Sequence, residues 1–168
     1  MMTMEKAQAR AKGTSLPISP KTTFMVCQHL RGKTLARAKA ILEAVTKEKE
    51  SVPFTRFTNG VGHRRGKVGP GRFPLKASEH LLTLLKSAEA NATDLGMGSE
   101  LFVKEIRANR ASAPMRQGRQ ARRVFKRTHV YVTLEEAEAK KRPAPKKAPA
   151  KQTPKKAAAK TTKQEEEQ

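Results

Sequence analysis

The sequence has no tryptophan, one tyrosine and six phenylalanines. So few rings give no support to an array of base-stacking platforms of the kind that RRM and OB surfaces carry. Cysteine occurs once, at Cys27. No intrachain disulfide can form, and no zinc site built on several thiolates. Apolar runs are short, and none nears the ~18 residues of a membrane-spanning helix, so no membrane partner is expected. The opening stretch, MMTMEKAQARAKG, has no apolar core of the signal-peptide kind. Residues 1–13 read as a flexible basic arm, with a mitochondrial presequence as the alternative. Acids are scarce too: 15 of them face 36 lysines and arginines, leaving a formal charge of +21. That excess is far beyond what solubility requires and predicts a polyanionic partner, of which nucleic acid is the commonest.

Catalytic signatures are missing as well. His29, His63, His80 and His129 show no metal-ligand spacing, and there is no HExxH, GxSxG or apolar carboxylate pair. Gly66-Lys67 is followed by Val68, where a P-loop needs Ser or Thr for magnesium. The chain is therefore not expected to be an enzyme, and no catalytic residue, metal or cofactor is assigned.

What is present reads as a helical and β body with basic extensions. Residues 14–18 are a candidate edge strand, because Pro17 removes a ladder donor. Ser19-Pro20 is a helix start, and Phe24, Cys27 and Leu30 form a stripe that ends before Gly32. Cys27 on that stripe is a small core hydrophobe. Thr34 caps a second helix whose apolar face is Leu35, Ala38, Ile41, Leu42 and Val45. Residues 53–73 hold five glycines and a second proline, which argues against a long helix or a central strand. Pro74 opens the longest helix, to about Thr93, with Ala77, Leu81, Leu84, Leu85, Ala88 and Ala92 on one face and Gly96 as its stop. LFVKEIRANR from Leu101, with Phe102, Ile106 and Ala108 on one face, and THVYVTL over 128–134 then read as two strands of a hairpin. The predicted class is α+β: three helices packed on a small antiparallel sheet, with a protruding basic hairpin at about 109–129. Residues 14–136 would form this domain, and 137–168 a low-complexity Lys/Ala/Pro tail, disordered when alone.

Three irregular segments carry the informative charge. The glycine-rich loop holds Arg56, His63, Arg64, Arg65, Lys67 and Arg72. Glycine lets backbone approach a phosphate closely, and arginine forks bind it bidentately; the plainer reading is a solvated loop. The hairpin end holds Arg110, Arg116, Arg119, Arg122, Arg123, Lys126 and Arg127, and its span from Ala113 to Arg127 contains no acid. Unpaired charge of that density cannot be buried in a core. The third segment is the tail, which supports the rival reading of a histone-like DNA-compacting protein.

RGKTLARAKAILEAV at Arg31–Val45, VPFTRFTNGVGHRRG at Val52–Gly66 and GPGRFPLKASEHLLTLLKSAEANA at Gly69–Ala92 resemble the universal large-subunit ribosomal protein L-twenty-two family. Its archaeal and eukaryotic members are called L-seventeen, and the GVGHRRG insertion points to that branch. Ser19-Pro20 and KRTHVYVTL at Lys126–Leu134 are similar to the family's first helix and last strand. The resemblance implies a structural protein of the large ribosomal subunit that binds rRNA and supports assembly. It also implies a hairpin that lines the polypeptide exit tunnel, with Met115, Arg116, Gln117, Gly118 and Arg119 at the tip. The implied partners are large-subunit rRNA, neighbouring ribosomal proteins and the nascent polypeptide. The implied location is the cytosolic ribosome, with nucleolar assembly in a eukaryote. The hairpin segment itself, MRQGRQARRVF, departs from the family's usual sequence and is several residues shorter.

Overall fold

The computed structural model describes residues 7–66, 68–98, 100–119 and 122–136. Lys67, residues 1–6 and the tail from 137 onward lie outside them. The elements run β1 (Gln8–Leu16), α1 (Pro20–Leu30), α2 (Leu35–Thr46), β2 (Val52–Pro53), β3 (His63–Arg64), β4 (Gly69–Arg72), α3 (Leu75–Asp94), β5 (Leu101–Arg110) and β6 (Thr128–Glu136). The class is α+β, as expected, but with two antiparallel sheets rather than one: β1-β6-β5 and β2-β4-β3.

The larger sheet is built from three cross-strand rows that face the helices. Ala9, Leu134 and Val103 share one row, Ala11, Val132 and Ile106 the next, and Gly13, Val130 and Ala108 the third. All but the half-buried Ala108 are buried. Successive strand residues point to opposite faces, so the alternating residues between these rows are left outside. The α3 helix lies over β1 and β6, and α1 over β5. The β1 inner face is only alanine and glycine, which lets α3 approach closely with Ala88 and Ala92 buried. The Asn91 amide then donates to the Arg10 carbonyl at 2.8 Å.

Two expectations about this sheet need correction. The strand begins at Gln8, not at residue 14, so residues 8–13 belong to the sheet rather than to a flexible arm. Phe102 does not share a face with Ile106. The register shifts between Val103 and Glu105, so the inward set is Leu101 and Val103 before the shift and Ile106 after it. An extra residue in one strand reverses the alternation beyond it. Phe102 pairs with Glu135, bridges also to Thr34, and is half-buried.

The helices follow their predicted starts. Thr34 Oγ1 accepts the Arg37 N–H at 3.4 Å. Ser19 makes no side-chain cap; its carbonyl accepts from Thr23 N–H at 2.9 Å and from Thr23 Oγ1 at 2.8 Å. The α2 stripe is buried at all five expected positions. On α1 the buried face is wider than Cys27 and Leu30, adding Thr23, Met25 and Val26, while Phe24 is half-buried. Helix α1 is sandwiched between β5 and its neighbours, so it needs more than a one-in-three stripe. Gly32 ends α1 at φ +74° and donates its N–H to Val103 O at 2.9 Å. A side chain is strongly disfavoured in that left-handed conformation.

Candidate nucleic-acid interface

The smaller sheet holds the glycine-rich loop in shape. Here β4 is the central strand, against the expectation drawn from its glycines and Pro70. Proline can sit there because Pro70 takes part through its carbonyl, which accepts the Phe54 N–H at 2.8 Å. Gly71 N–H donates to Gly62 O at 3.2 Å. Gly66 and Gly69 turn the chain at φ +86° and +67° between β3 and β4. Gly71 is buried, and a Cβ there would sit 3.1 Å from Arg64 Cγ and 3.3 Å from Val52 O. Arg64 thus lies across a backbone that only glycine leaves room for.

Arg56, Arg64 and Arg72 of this region rest on phenylalanine rings. The Arg64 guanidinium lies 5.0 Å from the Phe73 centroid, and its Nε donates to Gly71 O at 3.2 Å. Arg72 lies 5.9 Å from Phe54 and donates to Gly60 O at 3.2 Å. Arg56 lies 5.7 Å from Phe24 and 6.0 Å from Phe57, and the two rings meet edge to face. At the hairpin, Arg116 lies 4.9 Å from Phe125. Five of the six phenylalanines therefore brace a cation. Each contact contributes roughly 0.5–1 kcal/mol at an exposed site. Its second effect is to hold a long side chain in one orientation, which lowers the entropy lost when that guanidinium binds. Sequence reasoning found the arginines and missed the rings. The available signal was adjacency in Arg56-Phe57; Arg72 instead meets Phe54, and Phe73 lies under Arg64.

The expected contact residues fall into two groups. Arg56, His63, Arg64, Arg65 and Arg72 are exposed on the small sheet and its loop, while Lys67 lies outside the described residues. Arg110, Arg116, Arg119, Arg122, Arg123 and Lys126 are exposed on the β5–β6 connection, and Arg127 is half-buried with its guanidinium donating to Ser15 O at 3.1 Å. Pairing continues past the strands: Met115 faces Val124, and Arg116 N–H donates to Arg123 O at 2.7 Å. Met115, Gln117 and Gly118 are exposed as well. Among the described residues, the ion pairs are Lys39–Glu89, Lys104–Glu135 and Arg107–Glu105, and none of them uses a candidate contact residue.

Cys27 is buried, and loss of hydration pushes its thiol up to about 12, the opposite of an activated nucleophile. Among the described residues no group of three His, Cys, Asp or Glu could hold a metal, and no helix is long and apolar enough to cross a membrane.

The span from β1 to β6 coincides with a known protein family, described as ribosomal protein L22p/L17e, whose profile matches residues 11–135. The chain belongs to the ribosomal protein L22p/L17e family. Curated relatives named "Large ribosomal subunit protein uL22" agree. That of Methanococcus aeolicus is 40% identical over 136 residues, covering 76% of this chain and 89% of that protein. That of Ignicoccus hospitalis is 37% identical over 141 residues, covering 77% and 89%. That of Thermoplasma volcanium is 39% identical over 110 residues, covering 65% and 74%. The L22p/L17e match takes in both groups of exposed arginines and the phenylalanines beneath them.

Proposed function

We propose that the chain is a structural constituent of the large ribosomal subunit that binds rRNA through its two arginine surfaces. The observation that carries this reading is a set of exposed arginines that pair with no carboxylate among the described residues, Arg56, Arg64, Arg72 and Arg116 of them braced on phenylalanine rings, in a member of a ribosomal protein family. The first surface is Arg56, His63, Arg64, Arg65 and Arg72, with Lys67 added from the sequence. The second is Arg110, Arg116, Arg119, Arg122, Arg123, Lys126 and Arg127. RNA duplexes are recognised mainly through backbone and shape, which suits guanidinium forks better than stacked aromatics. The same surfaces would hold separate rRNA segments together during assembly.

The hairpin is proposed to protrude from the domain and to line the polypeptide exit tunnel, with Met115, Arg116, Gln117, Gly118 and Arg119 nearest the nascent chain. Neighbouring large-subunit proteins are the further partners, and the cytosolic ribosome is the location, with nucleolar assembly in a eukaryote. Charge reversal at Arg122 and Arg123 tests the proposal. It should lower the yield of mature large subunits and expose rRNA near the hairpin to chemical probing. Normal yield with unchanged rRNA protection contradicts it, and preferential binding to duplex DNA favours the histone-like rival.

A further inference from the structure

The hairpin root and the lead-in to α1 enclose a cleft that shares Arg110, Lys126 and Arg127 with the second arginine surface but adds an apolar floor to them. It has a volume of about 370 Å³ and is lined by Lys21, Ala113, Val124, Phe125, Lys126 and Arg127, among others. An adjoining hollow of about 480 Å³ shares the Val124–Arg127 wall and adds Lys76 and Arg116. The floor is apolar. Val124 and Phe125 are each 43% exposed. The rim is cationic, and among the described residues no carboxylate lines either hollow. The walls are fixed in place: Thr128 Oγ1 donates to Ile18 O at 2.8 Å, Arg127 to Ser15 O at 3.1 Å, and Ala111 N–H to Arg127 O at 3.0 Å.

We propose that this cleft seats one unpaired nucleotide of a single-stranded RNA segment, its base against Phe125 and Val124 and its phosphates on Lys21 and Lys126. The inference rests on the RNA-binding reading above and adds a distinct mode to it. A ligand for this cleft must offer a flat apolar face and negative charge within a few ångströms. A nucleotide offers both. A volume near the lower end of small-ligand pockets, about 300–1,000 Å³, admits one base and excludes a duplex. The Arg116 guanidinium lies 4.9 Å from the Phe125 centroid, so a base at this ring meets a cation beside it. An acidic peptide would meet the cationic rim, but its short hydrated carboxylates gain nothing from the Val124–Phe125 floor. The arginine surfaces need only backbone phosphates, whereas this cleft requires a base that is free to leave its stack.

The test uses the full chain with two probes: a single-stranded hexanucleotide RNA carrying 2-aminopurine, and an RNA duplex of similar charge. The single strand should bind with quenched fluorescence. Phe125→Leu keeps an apolar side chain but removes the ring. It should weaken the single strand about 5- to 150-fold, the loss expected of one base–aromatic stack, and weaken the duplex by only the roughly 2- to 5-fold that loss of the ring beneath Arg116 costs. The double variant Lys21→Gln, Lys126→Gln should lower the single-strand salt slope by about 1.4, at roughly 0.7 per phosphate contact. Equal losses for both probes with Phe125→Leu, or no loss for either, overturn the proposal. So does an acidic peptide that displaces the single strand and is itself weakened by Phe125→Leu. Co-sedimentation of Phe125→Leu with large subunits separates the two levels. If the variant still enters subunits while the single-strand effect is absent, only the cleft assignment fails. If the unaltered chain binds no RNA and enters no subunit, the ribosomal reading fails.

Discussion

Arg116, Arg119, Arg122 and Arg123 are exposed on one segment and pair with no carboxylate among the described residues. If each neutralises one phosphate, replacing all four with glutamine removes four counterion-releasing contacts. The slope of log K against log salt should then fall by roughly 2.8 to 3.6, taking about 0.7–0.9 per contact. Between about 50 mM and about 200 mM salt, a fourfold change, the affinity gap between the unaltered chain and the variant should narrow roughly 50- to 150-fold. Arg107 is the internal control. It is exposed but paired with Glu105, so its charge is already offset and Arg107→Gln should shift the slope by well under one. The assay is filter binding of a large-subunit rRNA transcript across a salt series. An unchanged slope in the quadruple variant, or a full unit lost on Arg107→Gln, would refute the phosphate-contact argument even if affinity falls.

Three further outcomes follow from single buried or half-buried groups. Ser78 Oγ is fully buried and, among the described residues, has no hydrogen-bond partner. Ser78→Ala should therefore raise stability by about 1 kcal/mol in chemical denaturation, and destabilisation would contradict the assignment. His29 is held below its ordinary 6.5, first by loss of hydration and then by Lys33, whose Nζ lies 3.1 Å from the ring nitrogen. The unfolded chain binds that proton more readily, so stability is complete above about pH 6.5 and declines as pH falls below it. His29→Gln should remove that part of the decline, and an identical pH profile would count against it. Cys27, buried with its thiol at about 12, should resist a maleimide at pH 8 in the native chain and react once the chain is unfolded; ready native labelling would contradict its burial.

The parts of the fold that are local and periodic could be read from the sequence. All five α2 core positions and the α3 face follow the helical repeat, and the β6 residues Val130, Val132 and Leu134 follow the strand repeat. The features that were missed depend on packing partners. The β1 alternation is of alanine and glycine against Gln8, Arg10 and Lys12, too weakly apolar to register until α3 is seen lying across it. The Phe102 side was misjudged because nothing in LFVKEIRANR marks the register shift near Lys104. Pro70 and the glycines of β4 looked unfit for a central strand, yet this sheet asks each residue for only one or two ladder bonds.

The candidate interface divides along the same line. Its charges were plain, because arginine in a glycine-rich or acid-free segment has few structural uses. Its geometry was not, because Phe73 beneath Arg64, and Phe125 beneath Arg116, are set by how the loop and hairpin fold back. Phenylalanines are sparse in the sequence. They gave no hint that the few rings present would be spent almost entirely on holding arginines.

The most direct test of the central claim is sedimentation of ribosomal subunits from cells expressing the tagged chain, with crosslinking from residues 115–119. The account predicts co-migration with the large subunit through a high-salt wash and crosslinks to large-subunit rRNA. Migration with the small subunit, or recovery on duplex DNA with no rRNA crosslink, would contradict it.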